Sequence, residues 1–456
     1  MFESLTARLK GLKIFPRGVH PAGNKSLAAE KAIRALPLPE TLVIPLHQHI
    51  GAPCEATVKP REDVQYGQKI ADSGSPVSAP IHASAAGKTA GLQLTWLPDG
   101  RKVQAIPIAA EKMETDVEGV LGLDLTDFSP EKYDPDQIRT ASRDAGLVGM
   151  GGAAFPTHIK LRVPKDKPID TVIINGSECE PYLTADYRLM LEYPDPIVAG
   201  LLLGMRAVGA EKGIIAIENN KPKALASMRQ SVERVGAAVG KVEVVACATK
   251  YPMGGERQLI QAVLGRIVPA APKGLPLDVG VVVLNVGTAS ALARMVIAGR
   301  PLTHRVVTIT GRGVREPGNW LVAIGTPVEN LIAAAGGMTP QAARVVGGGP
   351  MMGQPIANLA APVTKGTSGI SVFTDKELSG RTETNCIRCG RCVEQCPLNL
   401  TPTKIAHAVK FRDLELAEKY NLMVCIECGC CTYGCPAGIP LVQYMKSGKR
   451  LLREKK

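Results

Sequence analysis

The sequence predicts a multidomain α/β protein with a separate cysteine-rich domain at its carboxyl-terminal end. Its 456 residues are enough for about three domains of roughly 150 residues each. Short apolar runs alternate with helical patterns between residues 135 and 302, and eight of the twelve cysteines fall between residues 386 and 435. Hydrophobic residues make up 45% and charged residues 21%, which excludes a wholly disordered chain.

The first predicted domain covers residues 1–134 and contains short strands that begin near residue 41. The runs 58–71 and 79–87 resemble the barrel-sandwich fold of lipoyl and biotinyl modules. Those modules carry their cofactor on a lysine at a hairpin tip, and the equivalent residues 72–77 contain no lysine. We therefore expect a barrel-sandwich-like β scaffold without an attached cofactor.

The second predicted domain covers residues 135–302 and alternates strands with helices, which is typical of a Rossmann-like, mostly parallel sheet. The expected strands are 171–174, 213–217, 242–245 and 281–284, and the expected helices are 196–210, 222–235, 256–264 and 288–298. Ligands of such sheets bind beyond the carboxyl ends of the strands. The residues at those ends are polar, at 175–178, 218–220 and 285–288, so they form a candidate site.

A glycine-rich segment at residues 146–160 precedes this sheet. Gly149, Gly151 and Ala154 satisfy the spacing of a dinucleotide fingerprint, but the preceding residues 136–145 predict a helix instead of the required strand. Bare glycine N–H groups can form an anion-binding nest. The segment therefore remains a candidate phosphate-binding loop, with Lys160 as its cationic partner.

Residues 303–373 return to strand-like alternation, with runs at 305–310 and 344–349, and predict a small α+β domain. A polar linker near residues 374–384 leads into the last predicted domain, 374–456, which holds the cysteines.

The cysteines form one motif twice, with spacings of two, two and three residues and a proline after the fourth cysteine. This is the spacing of two-cluster bacterial ferredoxins, in which the fourth cysteine serves the other cluster. It predicts two [4Fe–4S] clusters, one held by Cys386, Cys389, Cys392 and Cys435 and the other by Cys425, Cys428, Cys431 and Cys396. A pair of zinc sites is the alternative, but zinc sites usually combine two CxxC pairs. Cys430 interrupts the pattern beside Cys431, and neither its role nor that of Cys179 follows from the sequence.

The formal charge of +12 is concentrated at the two ends of the chain. Residues 1–40 carry seven Lys/Arg against three Glu, and residues 441–456 carry six against one. Only 17 residues are aromatic and no nucleic-acid-binding motif is present, so we exclude nucleic acid and expect a protein partner or an anionic membrane surface. The apolar stripe formed by Phe2, Leu5, Leu9, Leu12, Ile14 and Phe15 predicts either a docking helix or a packed leader segment.

No signal peptide and no apolar run of about 18 residues is visible, so we expect a soluble or peripheral protein. Clustered thiols without a secretory signal favour a reducing compartment and metal ligation over disulfides.

Four motifs within the candidate site occur in an order that resembles a known family. They are residues 149–160, Asn175–Pro181, Tyr251–Glu256 and Asn285–Thr288. Together they resemble the FMN- and NADH-binding subunit of respiratory complex I. With the N-terminal segment Arg17–Lys25 and the doubled cysteine motif, the chain is still more similar to the C subunit of the Rnf (Rsx) electron transport complex.

The resemblance implies FMN and NAD(H) as cofactors and assigns the site residues. The phosphate and ribityl chain would be held by Gly149, Gly151, Gly152 and Lys160. The isoalloxazine and nicotinamide side would be lined by Asn175, Glu178 and Glu180, with the two glutamates as catalytic residues. A second wall would consist of Tyr251, Gly255 and Glu256, and the phosphate end would be closed by Asn285 and Thr288.

The resemblance also implies a function for the whole chain. The chain would be a peripheral subunit at the cytoplasmic face of the bacterial inner membrane, with a β-grasp (SLBB-like) third domain. It would exchange a hydride between NADH and FMN, and pass single electrons through the clusters to a ferredoxin-like iron–sulfur subunit of an ion-translocating complex. Two alternatives stay open: a soluble reductase such as a cobalamin reductase subunit, and an electron-transfer adaptor without active flavin. Ser177, which stands where complex I typically has Asp, supports the adaptor.

Overall fold

A computed structural model describes residues 6–7, 10–235, 241–270, 274–378 and 380–454. No helix in these ranges is long and apolar enough to cross a membrane. The chain forms four sheets and a helical carboxyl-terminal region.

The amino-terminal region is built mainly from short strands. Its elements are β1 (Ile33–Ala35), β2 (Thr41–Pro45), β3 (Glu55–Ala56), β4 (Asp63–Val64), β5 (Lys69–Asp72), β6 (Ile81–His82), β7 (Gly87–Thr89), β8 (Gln93–Trp96), β9 (Lys102–Ala110) and helix α1 (Val117–Leu121). One sheet has the order β2-β9-β7-β4, with β8 also paired to β9, and a second has the order β3-β5-β6. Apolar side chains such as Leu42, Ile70 and Ile108 form one buried cluster between them. The expected β scaffold is therefore present.

The central region is a four-stranded parallel sheet in the order β12-β11-β10-β13. Its strands are β10 (Thr171–Gly176), β11 (Lys212–Glu218), β12 (Val242–Cys247) and β13 (Val281–Asn285). Its helices are α2 (Pro135–Asp144), α3 (Thr157–Leu161), α4 (Ala185–Glu192), α5 (Pro194–Val208), α6 (Pro222–Val235), α7 (Glu256–Leu264) and α8 (Val286–Ala298). All four expected strands are confirmed, as is the helix before the glycine-rich segment. The sequence did not predict α4.

Both faces of this sheet are covered, as its uninterrupted apolar strands require. Along β10, Val172 and Ile174 pack with α5 and α8, whereas Ile173 packs with α7 on the other face. The buried residues Ile14 and Phe15 also lie on the second face. The carboxyl-terminal end of the amino-terminal stripe is therefore a packed segment. Its members Phe2, Leu5 and Leu9 lie outside the described residues.

The third region is a six-stranded sheet in the order β1-β15-β14-β18-β16-β17. Its elements are β14 (His304–Thr310), β15 (Gly318–Ala323), α9 (Val328–Ala334), β16 (Ala342–Gly347), β17 (Gln354–Pro355) and β18 (Gly369–Thr374). The edge strand β1 comes from the amino-terminal region and pairs in parallel with β15. The first and third regions are therefore joined through one sheet.

The carboxyl-terminal region is helical. It contains α10 (Arg391–Glu394), α11 (Pro402–Lys410), α12 (Leu414–Lys419), α13 (Cys430–Tyr433) and α14 (Leu441–Glu454). Its core combines four cysteines with apolar residues such as Ile405, Leu422 and Met445. Lys449 on α14 is buried and donates to the Cys425 carbonyl at 2.5 Å, so this basic side chain belongs to the fold and not to a docking surface.

Candidate functional site

The carboxyl edge of the parallel sheet brings together polar residues from distant parts of the chain. Asn175 and Asn285 are paired in register at the ends of β10 and β13. Asn285 begins α8, because its Oδ1 accepts the Gly287 N–H at 2.9 Å. Its Nδ2 donates to the Asp186 carboxylate at 2.7 Å. The edge predicted from the strand pattern is therefore a connected polar surface.

The glycine-rich segment folds as a tight turn over this edge. The bridge between Val148 and Pro156 closes the turn, and the Gly149 N–H donates to the Phe155 carbonyl at 2.8 Å. A Cβ on Gly151 would lie 2.7 Å from Asn285 Nδ2, a distance that side-chain carbons do not tolerate, whereas a Cβ on Gly152 would meet open space. The tip is exposed, so the N–H groups of this turn, called the cradle below, are accessible to a phosphate group.

Thr288 attaches this turn to the start of α8. Its Oγ1 accepts the Met150 N–H at 3.0 Å and donates to the Val148 carbonyl at 3.1 Å. Thr288 is buried, so it holds the turn in place from behind and presents no free hydroxyl to a ligand.

Lys160 and Glu256 come together across the site. Lys160 Nζ lies 2.8 Å from Glu256 Oε1 and 3.2 Å from the Val283 carbonyl. Both side chains are partly exposed, at 28% and 36%. Gly255 precedes Glu256 as the N-cap of α7, where a Cβ would lie 2.3 Å from Gln258 Oε1. An anion that binds Lys160 would compete with this ion pair.

Asn175 and Ser177 connect β10 to the loop that precedes α7. The Asn175 amide donates to the Gly254 carbonyl at 2.8 Å and its Oδ1 accepts the Ser177 N–H. The Ser177 hydroxyl is buried and has no hydrogen-bond partner among the described residues. Cys179, whose role was undecided, accepts the Gly254 N–H at 3.2 Å, and burial raises the pKa of its thiol.

The two predicted catalytic glutamates have different surroundings. Both carboxylate oxygens of Glu178 accept backbone N–H groups, from Asp186 at 2.7 Å and Tyr187 at 3.2 Å, so Glu178 caps the start of α4. Glu180 accepts the Met351 and Met352 N–H groups of the third region, at 3.2 and 2.7 Å. Burial raises the pKa of Glu180 to about 7. In this arrangement each carboxylate holds backbone from a different segment.

Tyr251 lies between the central and cysteine-rich regions. Its hydroxyl donates to the Cys428 carbonyl at 2.8 Å, and its side chain is only 2% exposed. It packs with Val19 and the buried Cys430 in one apolar cluster. Tyr251 therefore connects the candidate flavin site to the cysteines, a role that the sequence did not predict.

Two further residues at the site were not identified from the sequence. Lys25 Nζ donates to three carbonyls, those of Glu178, Glu180 and Leu183, at 2.9, 2.9 and 2.5 Å, and burial lowers its pKa. Asp186 is partly buried beside Asn285, and desolvation followed by the charge of Glu178 raises its pKa. Lys25 lies in the segment that carried the family resemblance, but no local pattern indicated its contact with residues more than 150 positions away.

Five cysteines line one cavity in the carboxyl-terminal region. The lining includes Cys396, Cys425, Cys428 and Cys431, the quartet that the spacing assigned to one cluster. Backbone N–H groups point at two of the sulfurs, from Leu400 to Cys396 at 3.4 Å and from Glu427 to Cys425 at 3.3 Å. Cys430 also lines the cavity. A cavity bordered by sulfurs and N–H donors fits an iron–sulfur cluster.

The other quartet repeats this backbone conformation nearer the surface. Arg388 and Glu427 both have a φ of 59°, and Gly390 and Gly429 have φ values of 74° and 80°. Cys386 and Cys389 are exposed, whereas Cys392 and Cys435 are buried. In the described ranges, no three His, Cys, Asp or Glu side chains are arranged to hold a single metal ion.

Four family models match the chain, each in a different region. They are the RnfC barrel sandwich hybrid domain at residues 13–113, the Nuo51 FMN-binding domain at 142–294, the SLBB domain at 306–355 and a 4Fe-4S dicluster domain at 379–436. They agree with the expected order of a barrel-sandwich, an FMN-binding, an SLBB and an iron–sulfur region.

Similar curated proteins cover nearly the whole chain. One is the C subunit of the proton-translocating ferredoxin:NAD(+) oxidoreductase complex of Clostridium ljungdahlii, 44% identical over 95% of this chain and 93% of that protein. Another is the Na(+)-translocating counterpart of Acetobacterium woodii, 41% identical over 90% of each. The C subunit of the ion-translocating oxidoreductase complex of Rhodobacter capsulatus is 42% identical over 96% of this chain and 83% of that protein.

Similar solved structures include the NAD+-reducing [NiFe]-hydrogenase. The air-oxidized form matches with a TM-score of 0.50 and 25% identity, over 67% of this chain and 56% of the hydrogenase chain. The H2-reduced form, with a TM-score of 0.51 and 23% identity over 75% of this chain and 63% of that chain, supports a similar fold.

Proposed function

Because the chain belongs to the family of C subunits of ion-translocating ferredoxin:NAD(+) oxidoreductase complexes, we propose that it transfers electrons between NADH and a ferredoxin-like iron–sulfur partner subunit. The cofactors are FMN and two [4Fe–4S] clusters, and NAD(H) is the substrate. When bound, FMN exchanges a hydride with NADH and single electrons with the clusters. The protein supplies their positions and surroundings.

The observation that carries this proposal is the contact between the flavin region and one cysteine quartet. Tyr251, on the loop that leads to Gly255 and Glu256, donates its hydroxyl hydrogen to the carbonyl of Cys428. Cys428 borders the cavity shared with Cys396, Cys425 and Cys431. When the cofactors are bound, this quartet would hold the cluster nearer to the flavin region and would accept electrons first, and the quartet with exposed Cys386 and Cys389 would face a partner.

We assign the flavin-site roles from these contacts. The cradle at Gly151 and Gly152 receives the phosphate, supported by the close fit of Gly151 against Asn285. Lys160 changes its partner from Glu256 to the bound ligand, supported by the partial exposure of both side chains. Glu178 and Glu180 act by holding the loop between β10 and α4, supported by their bonds to backbone N–H groups.

The domain boundaries are proposed at residues 1–134, 135–302, 303–373 and 374–456. Each of the four matching family models falls within one of these ranges. We assign them a barrel-sandwich fold, a Rossmann-like fold, a β-grasp fold and a two-cluster ferredoxin-like fold. The parallel sheet and the repeated cysteine loops support the second and the fourth assignment.

The chain is proposed to lie at the cytoplasmic face of the bacterial inner membrane, attached through partner subunits. The relatives are named as subunits of ion-translocating complexes, and translocation takes place across a membrane.

Anaerobic reconstitution of the full chain tests the proposed function. We expect about eight irons and about one FMN per chain, from two four-iron clusters and one flavin site. NADH should bleach the flavin and cluster absorption under anaerobic conditions. Iron without flavin would favour an adaptor, and bound flavin without bleaching would contradict NADH as the electron donor.

A further inference from the structure

A buried arginine from the third region supports the glycine-rich turn from behind. Arg305 on β14 is 5% exposed, and both Nη atoms donate to the Met150 carbonyl, at 3.3 and 3.2 Å. Nη1 also donates to the Lys365 carbonyl at 2.5 Å. The residue immediately after Met150 is Gly151, the tip position that lies against Asn285. Arg305 therefore holds the peptide from which the cradle begins.

The charge of Arg305 is poorly balanced. Within the described ranges it forms no ion pair, and the carboxylate that acts on it electrostatically is Asp186. Asp186 already accepts a hydrogen bond from Asn285, and burial raises its pKa. A guanidinium stays charged at neutral pH even where burial lowers its pKa. A positive charge therefore remains behind the turn.

A cavity borders this arginine, and neither Gly151 nor Gly152 lines it. It is lined by Met150, Asp186, Gly287, Ser290, Arg294 and Arg305. The cavity lies under the turn and the first turns of α8. Arg305 therefore acts on a ligand in the cradle through the turn and its electrostatic field, without touching the ligand.

A second buried basic residue from the same region supports the base of the turn. Lys365 is 1% exposed, and its Nζ donates to the carbonyls of Gly146 and Pro80 at 2.8 and 2.5 Å. Since Arg305 donates to the Lys365 carbonyl, the two residues form one connected support. The third region thereby fixes the glycine-rich segment at both Gly146 and Met150.

We propose that Arg305 is a positioning residue that makes the flavin site select a phosphorylated flavin over riboflavin. It fixes the peptide that presents the N–H groups of Gly151 and Gly152, and it adds a positive charge behind them. A phosphate dianion gains from both effects. A flavin ring bound near Asn175 and Gly254, elsewhere along the carboxyl edge of the sheet, gains neither from the fixed peptide nor from the positive charge. This inference rests on the proposed function, because it requires flavin at this site.

Flavin titration of the full-length chain tests this proposal. The reconstituted protein is stripped of flavin and titrated with FMN and with riboflavin, and binding is followed by flavin fluorescence quenching. In Arg305→Met we expect the Kd for FMN to rise about tenfold or more and that for riboflavin less than about twofold, since losing about 1.4 kcal/mol of electrostatic stabilisation corresponds to a tenfold change in Kd. Arg305→Lys, which keeps the charge without the paired N–H groups, should fall between.

Arg294→Met is the matched control. Arg294 lines the same cavity and is also buried, but it donates to the carbonyls of Ser290 and Val120 and not to the glycine-rich turn. The ratio of the FMN and riboflavin Kd values should stay near that of the wild type in this variant.

The possible results separate the role of Arg305 from the flavin site itself. Equal weakening of both flavins in Arg305→Met, or an equal change of the Kd ratio in Arg294→Met, would overturn the role of Arg305 while leaving the flavin site in place. Failure of the wild type to bind either flavin would instead refute the proposed function. If Arg305→Met does not fold, Arg305→Lys decides, because a folded lysine variant with an unchanged Kd ratio contradicts the proposal.

Discussion

The cysteine-rich region draws its eight candidate ligands from 50 consecutive residues, whereas the flavin region collects its polar residues from segments spread between residues 25 and 305. In the first region the ligands are fixed by short repeated loops with matching φ values at Arg388 and Glu427. In the second region each candidate side chain bonds to another segment, as Glu180 does to Met352. The comparison teaches that local spacing defines a cluster site, whereas packing between domains defines the flavin site.

The largest effect should follow from removing one ligand of the quartet beside Tyr251. In Cys431→Ser we expect iron to fall from about eight to about four per chain, because a four-iron cluster loses one of its four thiolates. FMN content should stay unchanged, because the flavin site uses other segments. Iron analysis and EPR measure the loss.

Cys430→Ser is the control for that variant, because Cys430 is adjacent, fully buried and outside the repeated spacing. It should retain about eight irons, the content of two four-iron clusters. If Cys430→Ser loses a cluster and Cys431→Ser keeps it, the assignment of the third ligand is wrong.

The next effect concerns the close fit of the glycine-rich turn. In Gly151→Ala the new methyl group would meet the Asn285 amide at 2.7 Å, so we expect FMN affinity to fall about tenfold or more. Gly152→Ala serves as the control, because its new methyl group would lie in open space. Equal FMN Kd values for the two variants, measured by fluorescence quenching, would show that the cradle is not built on Gly151.

A third effect tests the contact between the flavin region and the third region through pH. The native pKa of Glu180 is about 7 against an ordinary value of 4.5, so the folded chain keeps a proton that the unfolded chain releases. Its contribution to the free energy of unfolding therefore decreases as pH rises from about 4.5 to 7. Over this pH range the free energy of unfolding of Glu180→Gln should decrease by about 3 kcal/mol less than that of the wild type, since one pKa unit corresponds to about 1.4 kcal/mol.

Urea unfolding at several pH values measures this difference, with exposed Glu111→Gln as the control. If the stability of Glu180→Gln follows that of the wild type across the range, the Glu180 carboxylate does not hold the third region in the manner described.

The smallest effect concerns the junction between the two regions. Tyr251→Phe removes the donor to the Cys428 carbonyl and leaves that carbonyl unsatisfied, which should lower the free energy of unfolding by about 1–2 kcal/mol. Exposed Tyr433, in the cysteine-rich region, provides the control Tyr433→Phe. A melting temperature that falls equally in both variants would argue against a specific junction.

The sequence predicted those features that depend on local pattern. The four parallel strands follow from apolar runs, and the cysteine quartet around the cavity follows from spacing. Helix α4 was not predicted because it lacks a local start signal. Its N-cap residue Thr184 makes no capping side-chain hydrogen bond, and Glu178 caps the helix instead. Tyr251, Lys25 and Arg305 act on residues more than 150 positions away, so no local pattern could indicate their contacts.

The order of electron transfer is the central claim, and rapid-mixing EPR under anaerobic conditions tests it most directly. NADH is mixed with two variants that each retain one cluster, Cys389→Ser and Cys431→Ser. Because Tyr251 joins the flavin region to the quartet that contains Cys428, we expect the remaining cluster of Cys389→Ser to be reduced as fast as in the wild type. The remaining cluster of Cys431→Ser should be reduced far more slowly. Fast reduction in Cys431→Ser together with slow reduction in Cys389→Ser would contradict the proposed order.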